Sequence, residues 1–169
     1  IPLPLSQPAP GPSGSGVQVD VVVLSEDLEL FQAIRESVGE HNPVWRARSA
    51  EESVDLLITG RCGVLLIDLA SVTAQPETLV QRLLDQFPDV VVCVAGQRED
   101  EPALALMIGE GHIYRFMHKP LSPRRAHMFL QAAMRHHVAR REKPQLALVT
   151  DNVVSLPSRL EPVKWVLGA

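Results

Sequence analysis

Gly63-Val64-Leu65-Leu66-Ile67-Asp68-Leu69-Ala70 is an unbroken apolar run of strand length with one carboxylate near its C-terminal end. A continuous apolar run of this length reads as a strand buried on both faces, the kind found inside a parallel sheet. A carboxylate there is costly unless something pairs with it. In open α/β sheets the carboxyl ends of the strands are where ligands bind. Asp68 is therefore either a satisfied structural acid or a site residue, and its position favours the second.

Outward from this run, apolar strands alternate with amphipathic stretches. Upstream, Val17 to Leu24 gives the first strand, and Ser25-Glu26-Asp27 follows it at once, with Asp27 or Ser25 placed to cap a helix. Phe31, Ile34 and Val38 share one face of that helix, and Gly39 stops it. Val44 to Arg48 reads as a weaker strand whose basic residues suit a sheet edge. Ser49 opens a second helix carrying Val54, Leu57 and Ile58, closed at Gly60. Downstream, Pro76 starts a helix that buries Leu79, Val80, Leu83, Leu84 and Phe87. Val90 to Ala95 is a further apolar strand, and Pro102 starts a helix with Ala103, Leu106 and Met107 inward. Ile113 to Met117 is the fifth strand, and it leads into His118-Lys119-Pro120. Ser122-Pro123 opens the last helix, which runs to about Glu142 with Ala126, Phe129, Leu130 and Ala133 as its apolar stripe. Five strands alternating with five helices predict an α/β fold, a doubly wound parallel sheet.

The flanks differ in composition. Residues 1–16, rich in Pro, Gly and Ser, read as a flexible leader; residues 17–142 as the domain; residues 143–169 as a linker or tail. The chain opens without Met, which suggests processing or trimming, and it shows no signal-peptide pattern. At 169 residues, 46% apolar and 21% charged, with formal charge −4, it has the size and balance of one cored domain, and its acidity argues against a broad nucleic-acid surface. Cys62 and Cys93 lie in or beside core strands without metal-type spacing, so they read as buried free thiols in a reducing compartment, the cytoplasm. Near the end, Lys164 and Trp165 precede a short apolar run, as at the lip of a membrane helix. The run stops far short of the roughly twenty residues needed to cross a bilayer, so a membrane tether is expected only if apolar sequence continues beyond Ala169.

Residues from about 18 to 141 resemble a bacterial response-regulator receiver domain, the flavodoxin-like module of two-component signalling. The resemblance rests on Glu26 just past the first strand, Asp68 at the end of the third, and Lys119-Pro120 at the end of the fifth, with Phe116 as the aromatic of that strand. It implies strand order 2-1-3-4-5 and a cis bond between Lys119 and Pro120. It implies that Asp68 accepts a phosphoryl group from a histidine kinase or phosphotransfer protein, that Glu26 and Asp68 hold Mg²⁺, and that Lys119 contacts the phosphoryl oxygens. Ala95 and Phe116 then stand at the switch positions. The implied role is that of a signalling domain, not an enzyme, which passes its state to an output domain or partner. The resemblance further implies a homodimer through the last helix, the last strand and the helix before it, with Met107 and Tyr114 on that face.

The chemistry agrees in outline: phosphoryl transfer to a carboxylate is mostly positioning and charge neutralisation, and Mg²⁺ takes one or two carboxylates with water and phosphate oxygens. Three positions depart from the pattern. Ser25 replaces the first acid of the pair, Ala95-Gly96 replaces the hydroxyl residue after the fourth strand, and Ser71-Val72 replaces the Met-Pro that often follows the acceptor. An alanine cannot donate to a phosphoryl oxygen. A second reading therefore stands beside the first: a phosphorylation-independent pseudo-receiver acting as an interaction or dimerisation module. Glu26 and Asp27 would then only complement a helix dipole, and Lys119 would be a counter-ion of Asp68. His118, His136 and His137 are assigned no chemistry, and the arginines of the last helix read as a solvated face. Flavodoxin-type cofactor binding lacks its phosphate-cradling loop, and too few residues follow the last helix for a helix-turn-helix output.

Overall fold

In a computed structural model of the chain, residues 18–142 are described, and the expected leader, tail and Lys164-Trp165 segment lie outside them. The strands are β1 Asp20–Leu24, β2 Val44–Ala47, β3 Cys62–Asp68, β4 Val91–Gly96 and β5 Arg115–His118. The helices are α1 Leu28–Val38, α2 Ala50–Ile58, α3 Pro76–Gln86, α4 Ala105–Gly109 and α5 Pro123–Glu142. All strand pairs are parallel and the order is β2-β1-β3-β4-β5, the expected doubly wound sheet. The Lys119-Pro120 bond is cis, also as expected.

Alternation along the strands builds two cores. Val21, Val23, Val64, Leu66, Cys93, Ala95 and Met117 face α1 and α5; Val22, Leu24, Leu65, Ile67, Val92 and Val94 face α2, α3 and α4. β3 is buried along its whole length, which is what a run with no polar face requires. α5 buries Ala126, Leu130, Ala133, Met134 and His137, a stripe of helical spacing. Among the described residues no helix is long and apolar enough to cross a membrane.

Some expectations shift in detail. The edge strand ends at Ala47, not Arg48. Ile58 is exposed, because α2 turns Ser53 and Leu57, four residues apart, onto the sheet and leaves the next position about 100° round. Pro102 starts a 3-10 turn, with α4 beginning only at Ala105. Three residues per turn move the apolar phase. Leu104 and Met107 are therefore buried, while Ala103 and Leu106 face out. Met107 thus belongs to the core and not to an interaction face.

Candidate functional site

The C-terminal ends of β1, β3 and β5 meet on one edge of the sheet and bring Ser25, Asp68 and Lys119 together. Asp68 is fully buried, the last residue of β3. Its Oδ1 accepts from the backbone N–H of Ala70 at 3.2 Å and from Lys119 Nζ at 3.1 Å. Its Oδ2 accepts from the Ser25 hydroxyl at 2.7 Å, from Lys119 Nζ at 3.3 Å and, at the limit of 3.5 Å, from the Ser71 hydroxyl. A buried carboxylate with an ammonium and several donors is how a charge is tolerated in a core.

The second carboxylate at Lys119 is not the expected one. Lys119 Nζ stands 3.4 Å from Asp27 Oδ2, while Glu26 is exposed and its side chain makes no hydrogen bond or ion pair among the described residues. Glu26 serves through its backbone: its N–H donates to Ser71 Oγ at 2.8 Å, and its carbonyl accepts from Arg46 Nη2 at 3.0 Å. The reason is local. Asp27 is the N-cap of α1, its Oδ1 accepting from Glu29 and Leu30 N–H, and the cap geometry leaves Oδ2 facing the sheet edge. Burial pushes the Asp27 carboxyl up, but the Leu30 N–H, the Lys119 ammonium and the Glu29 N–H outweigh it and hold it below the usual carboxylate range.

The structure brings Asp68 and Lys119 together and sets Asp27, not Glu26, beside them. Ser25, a cap candidate standing in place of an acid, has a hydroxyl that accepts from Asp27 N–H at 2.9 Å and donates to Asp68. Arg46 was read as an edge residue; its Nε donates to the Ser25 carbonyl at 3.1 Å and fixes the loop after β1. Ala95 lies opposite Asp68 in the β3–β4 register, fully buried and without a hydroxyl. Phe116 is half-buried against the α2–α4 core, and a Cβ on Gly96 would lie 3.2 Å from its ring. His118, given no role, holds Glu101 at 2.7 Å.

The donor set was tested against Mg²⁺, which needs near-octahedral oxygens and keeps several waters. Asp68 and Asp27 are the two carboxylates at this point, and the ammonium of Lys119 already sits between them. Among the described residues no group of three or more His, Cys, Asp or Glu side chains is arranged to hold a metal. As placed, both carboxylates are paired with the Lys119 ammonium. A cavity of about 440 Å³ opens beside the pair, and its wall includes Glu77, Glu99 and Asp100.

No family model matches the chain, and no curated protein matches it. Solved structures do. The signal receiver domain of an HD domain-containing protein from Pseudomonas fluorescens Pf-5 is 20% identical, with TM-score 0.63, covering 72% of this chain and 98% of its own. A response regulator from Thermotoga maritima is 18% identical, with TM-score 0.62, covering 69% of this chain and 98% of its own. The receiver domain of a response regulator from Geobacillus stearothermophilus is 20% identical, with TM-score 0.61, covering 73% and 98%. At these identities the likeness establishes the fold, a response-regulator receiver fold, and nothing finer.

Proposed function

We propose that this chain is a phosphorylation-independent receiver-type module that signals by protein contact. The observation that carries the reading is the state of Asp68: fully buried, hydrogen-bonded by Ser25 and Ala70, and paired with Lys119. An acceptor must present a free oxygen to the donor phosphorus, and both oxygens here are engaged. Lys119 serves as the counter-ion, and Ala95 supplies no hydroxyl to follow a phosphoryl group. Partners then read a fixed surface, either an output domain, a two-component partner or a second copy. Leu106 on α4 and Met128 on α5 are exposed apolar residues, and Tyr114 stacks on His136 with ring centroids 4.5 Å apart. A homodimer through these residues would show as a concentration-dependent sedimentation coefficient.

A second reading keeps one specific observation in its favour: the approach of Lys119 to Asp68 at 3.1 Å beside an open cavity. On that reading Asp68 takes a phosphoryl group from a histidine kinase or phosphotransfer protein, with Mg²⁺ held at Asp68 and Glu26. Incubation with acetyl phosphate and Mg²⁺ followed by intact-mass measurement separates the two. The proposal expects no phosphoryl adduct at any Mg²⁺ concentration. A stoichiometric adduct that is lost in Asp68→Asn would establish the second reading instead.

A further inference from the structure

The opposite, N-terminal edge of the sheet holds another buried carboxylate. Asp20, the first residue of β1, is only 4% exposed. The indole N–H of Trp45, on the edge strand β2, donates to its Oδ2 at 2.9 Å. Among the described residues this carboxylate accepts no other hydrogen bond and has no cation within ion-pair distance. Asp68 provides the contrast within one sheet: equally buried, it has an ammonium and several donors.

Asp20 lines a cavity of about 360 Å³ whose other walls are Trp45, Leu56, Thr59, Arg61 and Cys62. The Thr59 hydroxyl is spent on the Leu56 carbonyl at 2.7 Å. The Cys62 thiol is pushed up to about 12, chiefly by burial, with the charge of Asp20 adding to the effect. What remains is the Asp20 carboxylate, the Arg61 guanidinium, one aromatic ring, and apolar walls from Leu56 and Cys62. Trp45 is 46% exposed, so its ring is open to a ligand as well as to Asp20.

We propose that this cavity binds an ammonium group carried on an apolar stem, with the charge on Asp20 and the stem against Trp45, Leu56 and Cys62. Among the described residues this carboxylate has a single, neutral side-chain donor, and a cation in the cavity would pair with it. A lone carboxylate is too poor a donor set for a metal. Arg61, exposed on the rim, forms no ion pair with Asp20, yet it is the internal competitor and the experiment must address it. The same ammonium can come from a free alkylamine or from a lysine side chain of a protein. The site lies at the far edge from Asp68 and does not depend on how that residue is read.

The test is a titration of the full chain followed by ¹H–¹⁵N spectra, with the Trp45 indole N–H assigned through Trp45→Phe. The probes are n-butylammonium chloride, sodium chloride at matched ionic strength, n-butanol as the uncharged isostere, and N-acetyl-lysine methylamide. A saturable shift of the Trp45 indole with butylammonium, absent with salt and butanol, is expected, and Asp20→Asn should weaken it about tenfold or more. Tighter binding of the lysine derivative assigns the site to a protein side chain; tighter binding of butylammonium assigns it to a free amine. Equal shifts from butanol, a shift that never saturates, or unchanged binding in Asp20→Asn would overturn the proposal. So would binding that appears only in Arg61→Ala, because Arg61 would then be the native cation. If Asp20→Asn does not fold, the comparison of charged and uncharged probes on the unaltered chain still decides.

Discussion

The Ser25 hydroxyl donates to Asp68 Oδ2 at 2.7 Å, so the residue standing where the receiver pattern has an acid is bonded directly to the residue standing where it has an acceptor. A serine and an aspartate can share this contact directly; two ionised carboxylates so close would need a proton or a cation between them. Here Ser25 supplies a hydrogen bond to that carboxylate in place of a second acid. Ser25→Ala should then cost about 2 kcal/mol, the range for a hydrogen bond to a charged group, and it also strips the Asp27 N–H of its acceptor. Urea unfolding measures this. A change near zero would mean that Ser25 is a bystander.

Lys119 and Asp68 should behave as a unit. Lys119→Met leaves a fully buried carboxylate without its cation and should destabilise by about 3–5 kcal/mol. Asp68→Asn together with Lys119→Met removes both charges while keeping an acceptor for Ser25 and Ala70. The double variant should be more stable than Lys119→Met alone. A double-mutant cycle that comes out additive would show that the pair is not coupled.

Much of this architecture was legible because the strands carry their own signature. The unbroken run of β3 announces a strand with no polar face, and Gly39 and Pro123 mark a helix end and a helix start. The Asp68–Lys119 meeting was legible because parallel strands send all their C-terminal ends to one edge. What the sequence hid was the side chain chosen within a loop. Glu26 and Asp27 are adjacent acids, and only the capping of α1 by Asp27 decides which one turns to Lys119. Leu106 was hidden likewise, because a 3-10 turn before α4 alters the phase and no periodicity rule foresees it. Asp20 was hidden because it falls in the alternating half of Val17 to Leu24, two residues after Gln18, where a polar residue reads as an ordinary outward position.

Acid should destabilise the fold in two separate steps. Burial pushes His137 below the usual 6.5, with Arg141 and Arg140 also pressing it down against the Asp89 carbonyl. The folded state therefore binds fewer protons than the unfolded chain, and the stability His137 contributes is complete above pH 6.5 and is lost as pH falls through the folded value. Asp27, held below 3.8, contributes stability that is complete above that pH and is lost only as pH falls through its own lower value. Urea midpoints taken across pH should show both limbs. His137→Gln should flatten the upper one and leave the lower; an upper limb that survives would assign it to another group.

Cys62 and Cys93 should be silent to thiol reagents in the folded protein. Burial pushes both thiols up to about 12, so almost no thiolate is present at neutral pH. Labelling with a disulfide reagent should follow unfolding, with both residues reacting together in denaturant. Fast labelling of Cys62 alone in native conditions would mean that the cavity at Asp20 admits the reagent and ionises the thiol.

Gly63 and His137 fit each other across the sheet, and the fit is tight enough to test. His137 is buried on α5, and its ring lies on β3, with Nδ1 at 2.8 Å from the Asp89 carbonyl. A Cβ on Gly63 would collide with His137 Cδ2 and would stand 2.7 Å from His137 Nε2 and from Val19 Cγ1. The glycine is there for close approach, the usual reason for one inside a strand. Gly63→Ala should cost about 1–3 kcal/mol, as over-packing does in a filled core. His137→Ala removes the ring that the methyl would strike, so the pair of substitutions should cost less than their sum. Unfolding free energies of the three variants give the coupling directly. Strict additivity would mean that Gly63→Ala suffers from Val19 or from strand propensity, and that α5 does not seat on β3 through this histidine.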